Sequence, residues 1–256
     1  MVRAEIIRRK ILLFAVVLTA SMAVSNASAE SDDFGLWLSA GAEKRIDKRW
    51  SVGIEGEFRT RDNGCTADRW SVGIDGEYKI SGWLRASAGY TLLYDNNEGK
   101  MTYDSDGSYK HRRPSYWGAR HRVAVSLTGR AKAGDFTFSL RERWQYTYRP
   151  EKTTSRYDYV DEAWESKTIK GKGRNVLRSR IKIDYDTPGC GIDPYASAEM
   201  FNAWSLQKTR YTVGVEYGIT KHHTVGLAYI WQDVRDDDDD NDTDSHIISV
   251  SYKFKF

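Results

Sequence analysis

The chain contains two cysteines in 256 residues, no apolar run long enough for a membrane helix beyond its first thirty positions, and hardly any 3.6-residue periodicity. Each lack excludes something. A transmembrane helix needs about 20 consecutive apolar residues, so none is expected after Glu30. Glycine-rich phosphate loops are missing, and no cofactor is expected. The net charge of +3 is too small a bias to point to nucleic acid. Cys65 and Cys190 fall in connections of different kinds, one long and one short, which places them on opposite sides of the fold developed below. A disulfide needs Cα atoms within about 7 Å, so no Cys65–Cys190 bridge is expected.

What is present begins with an export signal. Arg3, Arg8, Arg9 and Lys10 precede an apolar stretch from Ile11 to Val24, and Ala27-Ser28-Ala29 fits a small-x-small cleavage pattern. Residues 1–29 are therefore read as a cleavable signal peptide and residues 30–256 as one domain. No cysteine follows the cleavage point, which argues against a lipoprotein.

After Glu30 the dominant period is two. Arg49–Arg59 reads RWSVGIEGEFR and Arg69–Lys79 reads RWSVGIDGEYK. Trp50, Val52, Ile54 and Phe58 share one face; Ser51, Glu55, Glu57 and Arg59 share the other. Strict alternation marks a strand with one apolar and one polar face. An acidic row behind an aromatic-rimmed apolar row fits a wall with lipid outside and water inside. Such runs recur at Leu36–Arg45, Trp50–Arg59, Trp70–Ile80, Leu84–Tyr94, His121–Arg130, Phe136–Tyr148, Val176–Tyr185, Tyr195–Phe201, Tyr211–Ile219, His223–Gln232 and His246–Phe256. A mean hydropathy of −0.65 would suit a soluble protein. A barrel escapes that argument, because only alternate residues meet lipid. An aromatic content of 13% suits interfacial girdles.

The fold class expected is all-β: a transmembrane up-and-down antiparallel β-barrel of 10–12 strands. Eleven runs are found, and twelve strands are favoured over ten because single-chain bacterial barrels are usually even. Short connections (46–48, 81–82, 131–135, 186–193, 220–222) alternate with long ones (60–68, 96–120, 149–174, 202–210, 234–245). Short turns face the periplasm and long loops the exterior in outer-membrane barrels. The last run ends in alternating Tyr252, Phe254 and Phe256, which reads as a barrel-assembly signal.

The order of Phe34-Gly35-Leu36-Trp37, Arg141-Glu142-Arg143-Trp144-Gln145-Tyr146, Leu177-Arg178-Ser179-Arg180, Pro194-Tyr195-Ala196-Ser197-Ala198-Glu199 and Tyr252-Lys253-Phe254-Lys255-Phe256 resembles an uncharacterised outer-membrane β-barrel family, the domain of unknown function 2490 type. The resemblance covers nearly all of residues 30–256. It implies a location and a fold, not an activity.

Assigning the polar parity to the interior gives an acidic arc of Glu55, Glu57, Asp75, Glu77, Glu199 and Glu216. It gives a basic arc of Arg122, Arg130, Arg141, Arg143, Arg178, Arg180 and Lys182. Two readings follow: a plug of mutually satisfying ion pairs, or a narrow pore for small polar or anionic solutes with Arg141, Arg143, Arg178 and Arg180 touching the anion. Expected partners are outer-membrane lipid, lipopolysaccharide and the barrel-assembly machinery. Asp240, Asp242 and Asp244 offer carboxylates for Ca²⁺, but the glycine and distal glutamate of a calcium loop are missing. Asp244-Ser245-His246, with Asp104 and Asp106, raises a protease-like site at the extracellular rim. Parity puts His246 on the lipid side, so the residues argue more against an enzyme than for one.

Overall fold

A computed structural model describes residues 33–235 and 244–256. The signal sequence, Asp240 and Asp242 lie outside the described residues.

Eleven strands close into a barrel. They are β1 (Asp33–Arg45), β2 (Trp50–Arg61), β3 (Thr66–Lys79), β4 (Leu84–Asn97), β7 (Tyr116–Ala133), β8 (Phe136–Arg149), β11 (Lys172–Tyr185), β12 (Ile192–Asn202), β13 (Leu206–Gly218), β14 (His223–Val234) and β15 (Ser245–Lys255). All eleven alternating runs become wall strands. Neighbours pair antiparallel around the wall except at one seam, where β1 and β15 run parallel from Asp33↔Ser245 to Glu43↔Lys255. The count of eleven lies within the expected 10–12 and corrects only the preference for an even twelve. The evenness rule assumes that every seam is antiparallel, and one parallel seam lets an odd count close.

Alternation explains the wall. In β2 and β3, Trp50, Val52, Ile54, Trp70, Val72 and Ile74 point outward and are exposed to the surroundings of the barrel. Leu127, Leu140, Ile181, Leu227 and Val250 continue the same outward belt. A contiguous apolar surface of this extent is a membrane-facing surface. Aromatic pairs mark both ends of the first hairpin: Trp50 against Tyr78 at 4.7 Å and Phe58 against Trp70 at 4.2 Å. The near-identical stretches thus anchor opposite rims, because their strands run in opposite directions.

The rims differ. One carries the connections 46–49, 80–83, 134–135, 186–191 and 219–222. In the first of these, Asp47 accepts backbone hydrogen bonds from Arg49 at 2.6 Å and Trp50 at 2.7 Å. Those two bonds hold its carboxyl below the usual carboxylate range. A depressed folded value means the turn's contribution is present above the unfolded pKa of about 3.9 and is lost as pH falls through the folded value. An NMR titration should place the Asp47 midpoint below about 3.9, and Asp47→Asn should remove that acid-limb dependence.

The other rim departs from expectation. The connection expected at 60–68 tightens to residues 62–65, and that expected at 202–210 tightens to 203–205. Asp62 and Asn63 take positive φ in the first, where the Asp33 carboxylate accepts both their N–H groups. The two longest loops are not structureless. β5 (Lys100–Tyr103), β6 (Tyr109–Arg113), β9 (Lys152–Asp158) and β10 (Ala163–Ile169) form a separate four-stranded sheet in the order β10-β9-β6-β5. Cys65 lies in a connection of this loop rim and Cys190 in one of the turn rim, and both are free thiols.

Candidate functional site

The interior face is the candidate site. Cross-strand register carries the inward parity from strand to strand: Glu57 opposite Ser71, Arg69 opposite Asp95, Thr91 opposite Arg122, Ser126 opposite Arg143, Arg143 opposite Arg178, Arg180 opposite Glu199, and Glu199 opposite Arg210. The side chains that meet inside form three groups along the barrel.

The central group is a layer of ion pairs and ring contacts. Glu199 accepts from Arg141 at 2.6 Å on one oxygen and from Arg178 at 2.8 Å on the other. Its side chain is 6% exposed. Arg59 grips Glu57 through both oxygens, at 2.7 and 3.1 Å. Arg59 also lies 3.7 Å from the Trp37 ring centre, and Arg210 lies 4.7 Å from the same ring. Arg178 and Arg210 sit over Phe201 at 4.5 and 4.9 Å. Arg210 donates to Gln232 at 2.7 Å. Guanidinium groups suit this layer because they keep their charge, stack on aromatic faces and form forked bonds.

Towards the turn rim, Arg85 pairs with Glu77 at 2.7 Å and Lys253 with Glu43 at 2.9 Å. Lys182 pairs with Asp184 at 2.5 Å, reaches Glu216 at 3.6 Å and lies 4.2 Å from the Tyr195 ring centre. Gly214 stands where this ring needs room, since a Cβ there would come within 2.8 Å of Tyr195 Cζ and of Ala228 Cβ. Glu55 and Asp75 have no cation within 4.0 Å among the described residues.

Towards the loop rim the balance turns positive. Asp95 bridges Arg69 at 2.5 Å and Arg120 at 2.9 Å, and Arg120 also donates to Asn97 at 3.1 Å. Beside it, Arg120, Arg122, Arg149, Lys172 and Arg174 line a recess completed by Gln145, Thr147 and Val176. Its lining holds five cations and no carboxylate. Arg122 donates to Thr147 at 3.1 Å, and Arg174 donates to Gln207.

The β8–β11 pairing concentrates the positive charge. Lys172 stands directly opposite Arg149, Arg178 opposite Arg143, and Arg180 opposite Arg141. Like charges directly across a ladder are unfavourable. Of these, Arg141 and Arg178 share Glu199, while Arg143 donates to the Ser126 hydroxyl at 3.0 Å.

The residues singled out from sequence therefore scatter in role. Glu199 belongs among the arginines, between Arg141 and Arg178. Arg130 lies at the turn end of β7, exposed, with its backbone N–H on the Trp83 carbonyl. Glu216 is half exposed. Arg59, Arg69, Asp95, Arg120, Arg149, Lys172, Arg174 and Arg210 were missed. Most lie beyond the apolar run of their strand, where outward residues are polar too and parity no longer shows in the sequence. Asp244 is engaged in the wall, its carboxylate accepting the Val234 N–H at 2.7 Å and its carbonyl the Asp33 N–H at 2.9 Å. The protease-like set is divided among other partners. His246 stacks outward on Tyr229, Asp104 pairs with Lys110 at 3.0 Å, and Asp106 accepts from Ser108. The terminal aromatics face outward, with Phe254 and Phe256 at 5.0 Å and Tyr252 bonded to His223 at 2.7 Å.

Fold and interior together define a transmembrane β-barrel whose inner face carries charged and aromatic side chains. The model of the family described as Protein of unknown function (DUF2490) matches residues 34–243, and the chain belongs to that family. No curated protein matches the chain. Among solved structures, the beta domain of the Bordetella autotransporter BrkA is 12% identical, with a TM-score of 0.49 over 79% of each chain. The NanC porin is 14% identical, with a TM-score of 0.43 over 82% of this chain and 93% of its own. The CymD monoaromatic hydrocarbon channel is 7% identical, with a TM-score of 0.41 over 75% of this chain and 66% of its own.

Proposed function

We propose that the chain is an outer-membrane barrel through which small anionic solutes pass, entering at the loop rim. The observation that carries this reading is the recess of Arg120, Arg122, Arg149, Lys172 and Arg174, five cations without a lining carboxylate, of which Arg120 is paired with Asp95 beside the recess. It adjoins a seam with three like-charge pairs directly opposed. Such an arrangement attracts an anion electrostatically, and arginine forks fit carboxylate or phosphate oxygens. The anion contact moves from the Arg141, Arg143, Arg178 and Arg180 set to this recess, because Glu199 already neutralises two of those four. The carboxylates Glu55 and Asp75 on β2 and β3 and the arginine-rich β8–β11 seam divide the charge, which would set a field across the path. The signal sequence, the lipid-facing belt and the outward Tyr252, Phe254 and Phe256 support export to the outer membrane through the barrel-assembly machinery, with lipopolysaccharide around the loop rim.

Purified protein in a planar bilayer under a KCl gradient should show unitary steps and a reversal potential displaced toward that of chloride. Replacing Arg149 and Lys172 together by glutamine should move it toward that of potassium. A cation-selective current, or selectivity unmoved by that double change, would overturn the reading. The central layer favours a second reading, a barrel closed at Trp37, Phe201, Arg59 and Arg210. That reading is supported if the bilayer stays silent until Arg210→Ala opens a current.

A further inference from the structure

We propose that His111, Asp158 and Glu165 form a divalent transition-metal site that staples the two longest loops together. The three residues come from β6, β9 and β10 of the rim sheet. One ligand atom from each lies within 4.8 Å of the others. Register places them on one face: His111 stands opposite Asp158, and Glu165 opposite Arg156, two positions along the same strand. Tyr157 and Trp164 have the other parity and meet edge to face at 5.4 Å.

Each carboxylate is already divided into an oriented oxygen and an available one. Asp158 Oδ1 accepts the N–H groups of Val160 at 2.8 Å and Asp161 at 3.3 Å, while Oδ2 lies 3.3 Å from His111 Nδ1. Glu165 Oε1 takes the Arg156 guanidinium, at 2.6 Å from Nε, and leaves Oε2 open. His111 Nδ1 is buried and makes no hydrogen bond. A buried ring nitrogen aimed at a carboxylate oxygen without bonding it is costly unless something lies between them. Outer partners that fix ligand oxygens while leaving the facing atoms free are how metal sites are oriented.

One imidazole nitrogen and two carboxylate oxygens suit Zn²⁺ and its neighbours, with water completing the shell. Ca²⁺ prefers six to eight oxygens and is served poorly here. The place matters as much as the chemistry. The seam between loops 98–115 and 150–171 is short: His111↔Asp158 and Arg112↔Tyr157, extended by the Tyr159 N–H on the Lys110 carbonyl at 3.0 Å and the Tyr109–Tyr159 ring contact at 5.5 Å. A metal at His111 and Asp158 would lock that short seam, holding the two loops as one body. This inference is independent of what the lumen conducts.

The test uses the whole barrel in detergent, with Co²⁺ as the visible probe. One Co²⁺ per chain should bind, show ligand-field bands, and be displaced by Zn²⁺ but not by Ca²⁺. His111→Ala and Asp158→Asn should each weaken binding by about 100-fold or more, at or beyond the upper end of the range for a merely orienting residue. Glu165→Gln, at a half-exposed side chain, supplies a variant with little risk to folding. Zn²⁺ should also slow amide exchange in both loops of the native chain and in neither loop of His111→Ala. Binding that is unchanged in all three variants would overturn the proposal. So would binding lost only on replacing Asp240 and Asp242, or equal displacement by Ca²⁺.

Discussion

Glu199→Gln should destabilise the barrel by about 3–5 kcal/mol, the usual cost of removing one partner from a buried ion pair. The substitution keeps the shape and removes the only carboxylate paired with Arg141 and Arg178 among the described residues. Those two guanidinium groups already stand opposite Arg180 and Arg143, so the charge left behind has no other ion-pair partner among the described residues. Urea unfolding followed by tryptophan fluorescence reads the loss. A change below about 1 kcal/mol, the level of an exposed pair, would mean that water screens the central layer. In a bilayer the same variant should strengthen anion preference, since one negative charge leaves the path while its two cations stay.

The second large effect sets adjacent residues against each other. Ile74 is 60% exposed on the outer face of β3, opposite Ile54 and Tyr90. Ile74→Arg should cost about 2–4 kcal/mol, as arginine does on the lipid face near the bilayer midplane. Asp75, the next residue, points inside and is held by no ion pair among the described residues. Asp75→Asn should leave stability within about 0.5 kcal/mol and alter selectivity alone. Equal costs at both positions would contradict the assignment of faces.

The wall was legible in the sequence wherever one face met lipid. Trp50 to Phe58 and Trp70 to Tyr78 alternate because apolar and polar surroundings alternate with the pleat, and all eleven strands follow from that one signal. The signal fades where both faces meet water. Arg120, Arg149, Lys172 and Arg174 lie there, so in the sequence the recess they build is indistinguishable from loop. β9 and β10 were lost for the same reason: a sheet standing clear of the membrane need not keep a lipid-facing row. Pairing was hidden more deeply. That Glu199 sits between Arg141 and Arg178 depends on which residues stand opposite across β8, β11 and β12, and register belongs to pairs of strands. The strand count falls within the expected 10–12, and only the preference for an even twelve failed, since evenness describes barrels with uniform seams.

The parallel seam also constrains how the wall can be connected. In a barrel of uniform hairpins the first strand begins and the last strand ends at the same rim, and a short linker could join them. Here Asp33 starts β1 at the loop rim, whereas β15 finishes at the turn rim with Lys255 opposite Glu43. A circular permutant would therefore need a connection that travels the full height of the wall, about 9–11 extended residues, and lies against a closed sheet with no free edge to receive it. Ring closure and chain reconnection, which coincide in even barrels, are separate problems in this one.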